Sequence, residues 1–387
     1  MEKSGKMRAN KEGLALPKKV EEIRRAIEED PAYAGLQGLL VFDYPLRSKT
    51  TMGVGGSAAL YACPKKSSDL ILLQQIIQRW DLPWLLLGAG TNVIFSDLGL
   101  EALCVDMGAA WKGLSVEQVS AEGEGCFRLT ALAGERLSAL AAFAASHGLG
   151  GLSFACGIPG SVGGGTFMNA GAYGPSLGDF VEKVKIFDIK QGELLTLTQA
   201  EMDFSYRHSF LQDKPEYLLV SVDFLLKKAP DPKAVYAEMT DYQLRRMGAQ
   251  PMQEASSGSA FKRPEGYFAG KLISDVGLKG YTKGKMAVSP IHAGFIVNLG
   301  TESSQEVSDF FWEVHEKVLA ATGVSLVPEP LFLGEKGGFS QDLMAFIGQV
   351  KEEGAPAVPS PKPTPGLAPT PSGVSVQEEG EVPRKEV

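Results

Sequence analysis

The feature that most constrains this chain is a glycine-rich segment in its middle, CGIPGSVGGGTFMNAGAYG, at residues 156–174. Structured runs flank it on both sides. A segment this rich in glycine is conformationally flexible, and glycine is favoured where another group packs closely against the backbone. We therefore expect a large planar or polyphosphate ligand to lie against it. An Ω-loop that packs against its own side chains is the alternative.

Two shorter glycine clusters precede it, GVGGSA at 53–58 and LGAGTN at 87–92. The first formally matches a dinucleotide-binding fingerprint, which requires a helix to open directly from the motif. Here residues 57–63 are typical of a strand and Pro64 ends it, so we reject a Rossmann fold. The second cluster follows an apolar strand. Its backbone N–H groups, with the Thr91 and Asn92 side chains, could bind an anion, and a tight turn between strands is the alternative.

Composition excludes several classes of protein. The 387 residues predict two or three domains, and 44% hydrophobic with 22% charged residues are ordinary for a globular chain. The net charge of -8 gives no sign of a nucleic-acid binder. No apolar run is long enough for a membrane-spanning helix, and the charged N-terminal stretch lacks a signal sequence, so we expect a cytoplasmic protein without membrane insertion. Four cysteines without a CxxC pair and four scattered histidines predict no metal site.

Short β-rich runs alternate with fewer helical ones, which predicts an α+β or mixed α/β chain. The predicted strands are Leu36–Phe42, Ala58–Cys63, Trp84–Leu87, Ala102–Asp106, Phe127–Leu132, Val181–Asp188, Leu194–Thr198 and Tyr217–Leu226. The predicted helices are a short exposed one within 18–30, then Asp69–Trp80, Glu135–His147, Asp231–Met247 and Ser303–Thr322. The predicted units are an N-terminal extension (1–34), two subdomains (35–106 and 107–228), a third domain (229–334) and a Pro-rich tail (335–387).

The tail becomes rich in Pro, Ser and Glu from about residue 348, so we expect disorder there. Its PxxP-like spacing could suit a polyproline-reading partner, but a passive tail is the simpler interpretation, and any partner is unknown. In the third unit, Ser259 precedes the cations Lys262, Arg263 and Lys271, a pattern that suits an anionic ligand. A solvated loop face is the alternative. No GxSxG motif surrounds Ser259, so a hydrolase is not indicated.

Taken together, eight motifs give the sequence a family resemblance. In chain order they are GVGG, LGAGTN, FACGIPGSVGGGTFMNAGAYG, YRHSF, GSAFKRPEGYFAGKLI, GLKG, HAGFIVN and VPEPLFLG. This order resembles the UDP-N-acetylenolpyruvoylglucosamine reductase family over residues 35–334. The resemblance implies an α+β fold in which an FAD-binding two-subdomain unit of the vanillyl-alcohol-oxidase (PCMH) type precedes a C-terminal α/β substrate domain. It also implies NADPH-dependent reduction of the enolpyruvyl group of a UDP-sugar, through noncovalent FAD, to UDP-N-acetylmuramate in peptidoglycan synthesis.

The resemblance also implies residue roles. Arg207 in YRHSF and Glu329 in VPEP would polarise the substrate carboxylate, and Ser259 in GSAFK would protonate C2. That role requires Glu329 to be partly protonated or to share a proton. The implied substrate-binding residues are Tyr206, Lys262, Arg263 and Lys271. The implied cofactor-binding residues are Gly53, Gly55, Gly88, Ala89, Gly90, Thr91, Asn92, Gly157, Ile158, Pro159, Gly160, Ser161, Gly163, Gly164, Asn169, Gly171 and Ala172.

Three positions depart from the family pattern. Cys156 replaces a serine, Ala89 a glycine and Gly294 an asparagine. We expect Cys156 to be a buried small side chain, because no base or cation adjoins it in sequence. Arg207 and Ser259 are only 52 residues apart, and the predicted helix Asp231–Met247 fills much of the interval between these two motifs. This spacing resembles the shorter subclass that lacks a tyrosine-bearing substrate loop. Two alternatives remain open: another FAD-dependent oxidoreductase of the superfamily, or a catalytically idle cofactor-binding scaffold.

Overall fold

A mixed four-stranded sheet forms the first layer of the protein, whose computed structural model describes residues 15–119 and 125–353. The strand order is β1-β2-β5-β3, and only the β1–β2 pairing is antiparallel. The N-terminal elements are α1 (Leu16–Glu29), β1 (Leu40–Pro45), β2 (Ser57–Ala62), α2 (Ser67–Trp80), β3 (Trp84–Leu87), β4 (Val93–Phe95) and β5 (Leu100–Asp106). Strand β1 begins four residues later than predicted, because Pro31 opens a 3-10 turn over Pro31–Leu36 instead.

A second, antiparallel sheet of five strands follows, in the order β6-β7-β10-β8-β9. Its buried face shares one core with the first sheet and with α2 and α3. The prediction of Val181–Asp188 as a strand is confirmed. The elements are β6 (Leu114–Gln118), β7 (Cys126–Leu132), α3 (Leu137–Ser146), α4 (Val162–Phe167), β8 (Val181–Asp188), β9 (Glu193–Thr198) and β10 (Tyr217–Lys227).

The C-terminal part places α6, α7 and α8 against a four-stranded antiparallel sheet, β11-β14-β13-β12. Strand β15 leaves this part and pairs in parallel with β4. The elements are α5 (Pro232–Ala249), β11 (Ala255–Ser259), α6 (Ala269–Asp275), β12 (Thr282–Lys283), β13 (Met286–Val288), β14 (Phe295–Asn298), α7 (Ser304–Thr322), β15 (Leu331–Leu333) and α8 (Gln341–Glu353).

The apolar core of the C-terminal part, which we call the third core, extends beyond the domain boundary predicted from sequence. Met52, Val54 and Ile94 belong to the predicted first subdomain, yet all three are fully buried in the third core. The Asn298 amide also donates to the carbonyl of Met52 at 2.9 Å. The first subdomain and the third domain are therefore packed through shared apolar side chains.

Two predictions about the ends are wrong. Helix α1 is not simply exposed, because Ile23 is fully buried in the core that the first two sheets share. The predicted tail also begins too early. Residues 335–353 form a turn and helix α8, with Phe339 and Leu343 buried against the third core. The tail prediction for 354–387 lies outside the described residues. No helix in the described ranges is long and apolar enough to cross a membrane.

Candidate active site

An ion pair between Arg207 and Glu329 lies at the centre of the candidate site. Arg207 Nε donates to Glu329 Oε1 at 2.7 Å. Ser205 and His208 exchange backbone hydrogen bonds at 3.2 Å, so Tyr206 and Arg207 form the tip of a two-residue turn. Arg207 has a φ of +56° there, in the left-handed region that non-glycine residues seldom adopt. The turn thus directs the guanidinium across to the C-terminal part of the chain.

Glu329 reaches the site on a short extended segment. Its backbone N–H donates to the carbonyl of Ala260 at 3.0 Å, and Lys262 N–H donates to Val327 at 2.8 Å. These bonds place Glu329 beside Ala260, the residue that follows the predicted proton donor, Ser259. Ser259 itself ends β11 after a bulge, opposite Phe295, and its side chain is exposed. Within the described chain, the Ser259 hydroxyl makes no hydrogen bond.

Burial raises the pKa of the Glu329 carboxyl. The residue is only 9% exposed, and this desolvation raises the pKa of its carboxyl above the usual 4.5. The nearby charges of Arg207 and Lys262, and the Arg207 hydrogen bond, oppose part of the rise. A raised pKa is what a carboxyl that shares a proton requires.

Three of the four predicted substrate-binding residues adjoin this pair. The Arg207 guanidinium lies 5.2 Å from the Tyr206 ring centroid, and Arg263 N–H donates to the Tyr206 hydroxyl at 3.2 Å. Lys262 is close enough to influence Glu329 electrostatically. Lys271 is different: it lies on α6, and its ammonium pairs with Asp275 at 2.7 Å, one helical turn away. Among the residues that the structure describes, Lys271 forms no hydrogen bond or ion pair with Arg207 or Glu329.

The loop 88–92, called the cradle below, connects this pair to the glycine-rich segment. Asn92 donates to the Glu329 carbonyl at 3.3 Å, and Thr91 Oγ1 donates to the Pro159 carbonyl at 3.1 Å. Within residues 15–119 and 125–353, the five backbone N–H groups of the cradle donate to no protein acceptor. Four of these five residues, all except Ala89, are buried or half-buried. N–H groups shielded from water normally have partners, so a run of free donors fits a polyanion such as the FAD diphosphate.

Glycine is required where the cradle faces the glycine-rich segment. A Cβ built on Gly88 would lie 2.3 Å from Ser161 Oγ, the oxygen that accepts from Gly164 N–H at the start of α4. A Cβ on Gly90, whose φ is +68°, would lie 1.7 Å from the Lys49 carbonyl. Ala89 lies between these two glycines. This departure from the family pattern therefore leaves glycine at both positions where neighbouring segments pack most closely against the cradle backbone.

Other predicted cofactor residues hold protein segments together. Asn169 is buried with a φ of +42°, and its amide donates to Ser205 and accepts from Gly178, both at 2.9 Å. Through Ser205 it supports the turn that carries Arg207. Gly171 pairs with Ser176 in an isolated bridge, and Ala172 N–H donates to Pro175. The remaining predicted positions lie in the loop before β2, at the end of the 3-10 turn Ser153–Gly157, in the loop between that turn and α4, or at the start of α4. They are Gly53, Gly55, Gly157, Ile158, Gly160 and Gly163.

Comparisons with known proteins agree with this arrangement. A family model for an FAD binding domain matches residues 58–198, and one for the UDP-N-acetylenolpyruvoylglucosamine reductase C-terminal domain matches 250–333. The reductase of Agathobacter rectalis is 40% identical over 301 residues, 76% of this chain and 94% of that protein. This chain belongs to the UDP-N-acetylenolpyruvoylglucosamine reductase family. The reductase of Caldanaerobacter subterraneus subsp. tengcongensis is 38% identical over 78% of this chain and 95% of its own.

A crystal structure from the same family gives the matching fold. The reductase of Thermus caldophilus has a TM-score of 0.61 and 30% identity, covering 76% of this chain and 98% of its own. The family resemblance and the predicted α+β class, with an FAD-binding unit before a C-terminal domain, are therefore confirmed.

One candidate residue of this family member was missed from the sequence. Arg246 on α5 lies against the glycine-rich segment, where a Cβ on Gly157 would be 3.0 Å from its Nε. That Nε is buried, and in the described residues it has no hydrogen-bond partner. Because α5 was predicted only as a helix that fills the interval between two motifs, nothing in its sequence singled out this arginine. An unpartnered cation here suits an electron-rich group held by residues 156–161.

The departures from the family pattern are small and packed. Cys156 is 5% exposed and burial raises the pKa of its thiol, so its interpretation as a buried small side chain is confirmed. A Cβ on Gly294 would lie 2.9 Å from the His292 ring, whose Nδ1 accepts from Gly294 N–H. Across the described ranges, no group of three or more His, Cys, Asp or Glu side chains could hold a metal ion.

Proposed function

We propose that this chain reduces the enolpyruvyl group of UDP-N-acetylenolpyruvoylglucosamine with NADPH, through noncovalent FAD, to UDP-N-acetylmuramate for peptidoglycan synthesis. The observation that carries the proposal is the 2.7 Å Arg207–Glu329 pair, joined through Ala260 to Ser259 and through Asn92 to the cradle. The names of the reductases that align along most of this chain support the same activity. A cytoplasmic location, expected from the sequence, belongs to this proposal.

The cofactor site is part of the proposal. The cradle N–H groups would bind the FAD diphosphate, and the segment 156–161 would hold the rest of the cofactor near Arg246. The bound cofactor would supply the hydride chemistry between NADPH and the substrate double bond. The two-subdomain division at residues 35–106 and 107–228, followed by a substrate domain at 229–334, remains our assignment for these tasks.

The protein's own residues would handle charge and the proton. Arg207 would bind the substrate carboxylate, and Glu329, whose pKa is raised by burial, would contact it through a shared proton. Both contacts stabilise negative charge that develops at C2 and its carboxylate. Ser259, which is an exposed residue, would then donate a proton to C2. A serine hydroxyl is a weak acid, so the proton must be replaced through a network as it leaves.

The purified full chain tests this proposal by its absorption spectrum. We expect a flavin band that NADPH bleaches and UDP-N-acetylenolpyruvoylglucosamine restores. Yellow colour retained in a trichloroacetic acid pellet would indicate covalent FAD and so another oxidoreductase of the superfamily. A flavin band that NADPH leaves unchanged would indicate a catalytically idle scaffold.

A further inference from the structure

A buried charge cluster lies beside the cradle and has no part in the proposed chemistry. Asp106, at the end of β5, is 3% exposed. Its Oδ2 accepts from Tyr61 OH at 2.5 Å and from Lys49 Nζ at 3.0 Å, while its Oδ1 accepts from Ala109 N–H at 3.0 Å. The Lys49 ammonium also lies 5.1 Å from the centroid of the Tyr61 ring. Removing the Lys49 and Asp106 charges from water costs free energy. Their mutual attraction offsets this cost only when the two groups are held in a defined geometry.

The segment that carries Lys49 packs on one side of the cradle. The Lys49 carbonyl is the atom that leaves no space for a side chain at Gly90. Two residues further on, Thr51 N–H donates to the Gly90 carbonyl at 3.1 Å. Residues 49–51 therefore fix the position and orientation of the Gly90 peptide at the centre of the cradle.

The segment that carries Asp106 packs on the other side. Asp106 pairs with Leu87, the last strand residue before the cradle, and Met107 N–H donates to the Leu87 carbonyl at 2.9 Å. A Cβ on Gly108 would lie 2.4 Å from the Gly88 carbonyl. The cradle is thus held between residues 49–51 and 106–108, and the Lys49–Asp106 ion pair joins these two segments directly.

We propose that Lys49 and Asp106 are positioning residues for cofactor binding. Their ion pair sets the spacing of the two segments and so aims the free N–H groups of residues 88–92. The inference rests on the proposed function, because it assumes that the cradle binds the FAD diphosphate. Loss of the ion pair should lower the affinity for FAD by more than any accompanying loss of fold stability explains.

The test measures FAD affinity and the melting temperature of the deflavinated full chain for Lys49→Met and Lys49→Arg. Lys49→Met leaves the Asp106 carboxylate unpaired, so a second variant, Lys49→Met with Asp106→Asn, removes both charges and keeps the Tyr61 and Ala109 bonds possible. We expect both Met-containing variants to lose roughly tenfold or more in FAD affinity, by analogy with the loss seen when a residue that supports a metal ligand is removed. Lys49→Arg should restore most of it.

The matched control is Arg128→Met, which breaks ion pairs with Glu182 at 2.6 Å and Glu117 at 2.8 Å in the second sheet. The exposed fractions of the two cations are similar, 21% for Arg128 and 23% for Lys49. The control should retain wild-type FAD affinity whatever its melting temperature. Wild-type affinity in the double variant, or an equal loss in Arg128→Met, would overturn the positioning role. If the wild-type chain binds no FAD, the proposed function itself fails.

Discussion

Arg207 and Glu329 are separated by 122 residues in sequence, yet their side chains meet at 2.7 Å. One lies on a turn that precedes β10, and the other on the segment that precedes β15. Arg207 adopts a left-handed backbone conformation to make this contact, with a φ of +56°. Such conformations in a non-glycine residue typically cost about 1–3 kcal/mol and persist where the surrounding structure holds them. Asn169 provides part of that support by its bond to Ser205.

Ser259→Ala should separate the two halves of the reaction. Reduction of bound FAD by NADPH should be unchanged, whereas reoxidation by substrate should slow by about 10²–10⁴-fold, the usual contribution of a general acid. Ser259→Cys should retain more activity than Ala, because a thiol also donates a proton. Stopped-flow traces of each half-reaction make the measurement. Equal slowing of both halves would mean that Ser259 positions the flavin instead.

Glu329→Gln should change how stability depends on pH. Because burial raises the pKa of Glu329, the unfolded chain ionises first as pH rises above the usual 4.5. The contribution of Glu329 to stability is therefore complete below pH 4.5 and is lost as pH rises through the folded pKa. Thermal unfolding from pH 4 to pH 8 should show Glu329→Gln gaining stability relative to wild type across that window.

A companion variant tests the cause of that behaviour. Arg207→Met removes a cation that lowers the pKa of Glu329, so the loss of stability should extend to higher pH than in wild type. A difference between Glu329→Gln and wild type that stays constant with pH would contradict the raised pKa.

Gly88→Val should abolish flavin binding. The new side chain would displace Ser161 Oγ, which caps α4, and would push the cradle away from residues 156–161. Gly248→Val is the control, because that glycine lies in α5 with no atom within 4 Å of a built Cβ. The ratio of visible to ultraviolet absorbance reports flavin content, and circular dichroism reports folding. A folded Gly88→Val protein with full flavin content would show that the cradle is not part of the cofactor site.

Two truncations should behave differently. Deletion of residues 354–387 should leave flavin content and melting temperature unchanged, because the family motifs end near residue 334. Deletion of 335–387 should destabilise the protein, because Phe339 and Leu343 are buried in the third core. Each such side chain contributes about 1.5–3 kcal/mol through burial. Denaturant unfolding of both truncated chains measures the difference, and equal midpoints would show that α8 adds nothing to the fold.

Local patterns determined much of this protein from sequence. Alternating apolar residues predicted strands such as Val181–Asp188, and the ordered glycine motifs identified the family before any contact was known. Composition failed at the ends of the chain. Charges around Ile23 suggested an exposed helix, and the Pro-rich residues beyond 348 drew the tail boundary too early, although Phe339 is buried. Whether an apolar residue is buried depends on what packs against it, which its sequence neighbours do not specify.

Only the tertiary structure shows which of the candidate site residues lie together. Sequence motifs named Arg207, Ser259 and Glu329 separately, but strand pairing and the shared third core bring them together. The same packing left Lys271 with Asp275, gave Asn169 a supporting role and placed Arg246 beside Gly157. The physical reason is that secondary structure follows short-range periodicity, whereas a site of this kind depends on contacts between distant segments. Those contacts also determine desolvation, and so the raised pKa of Glu329.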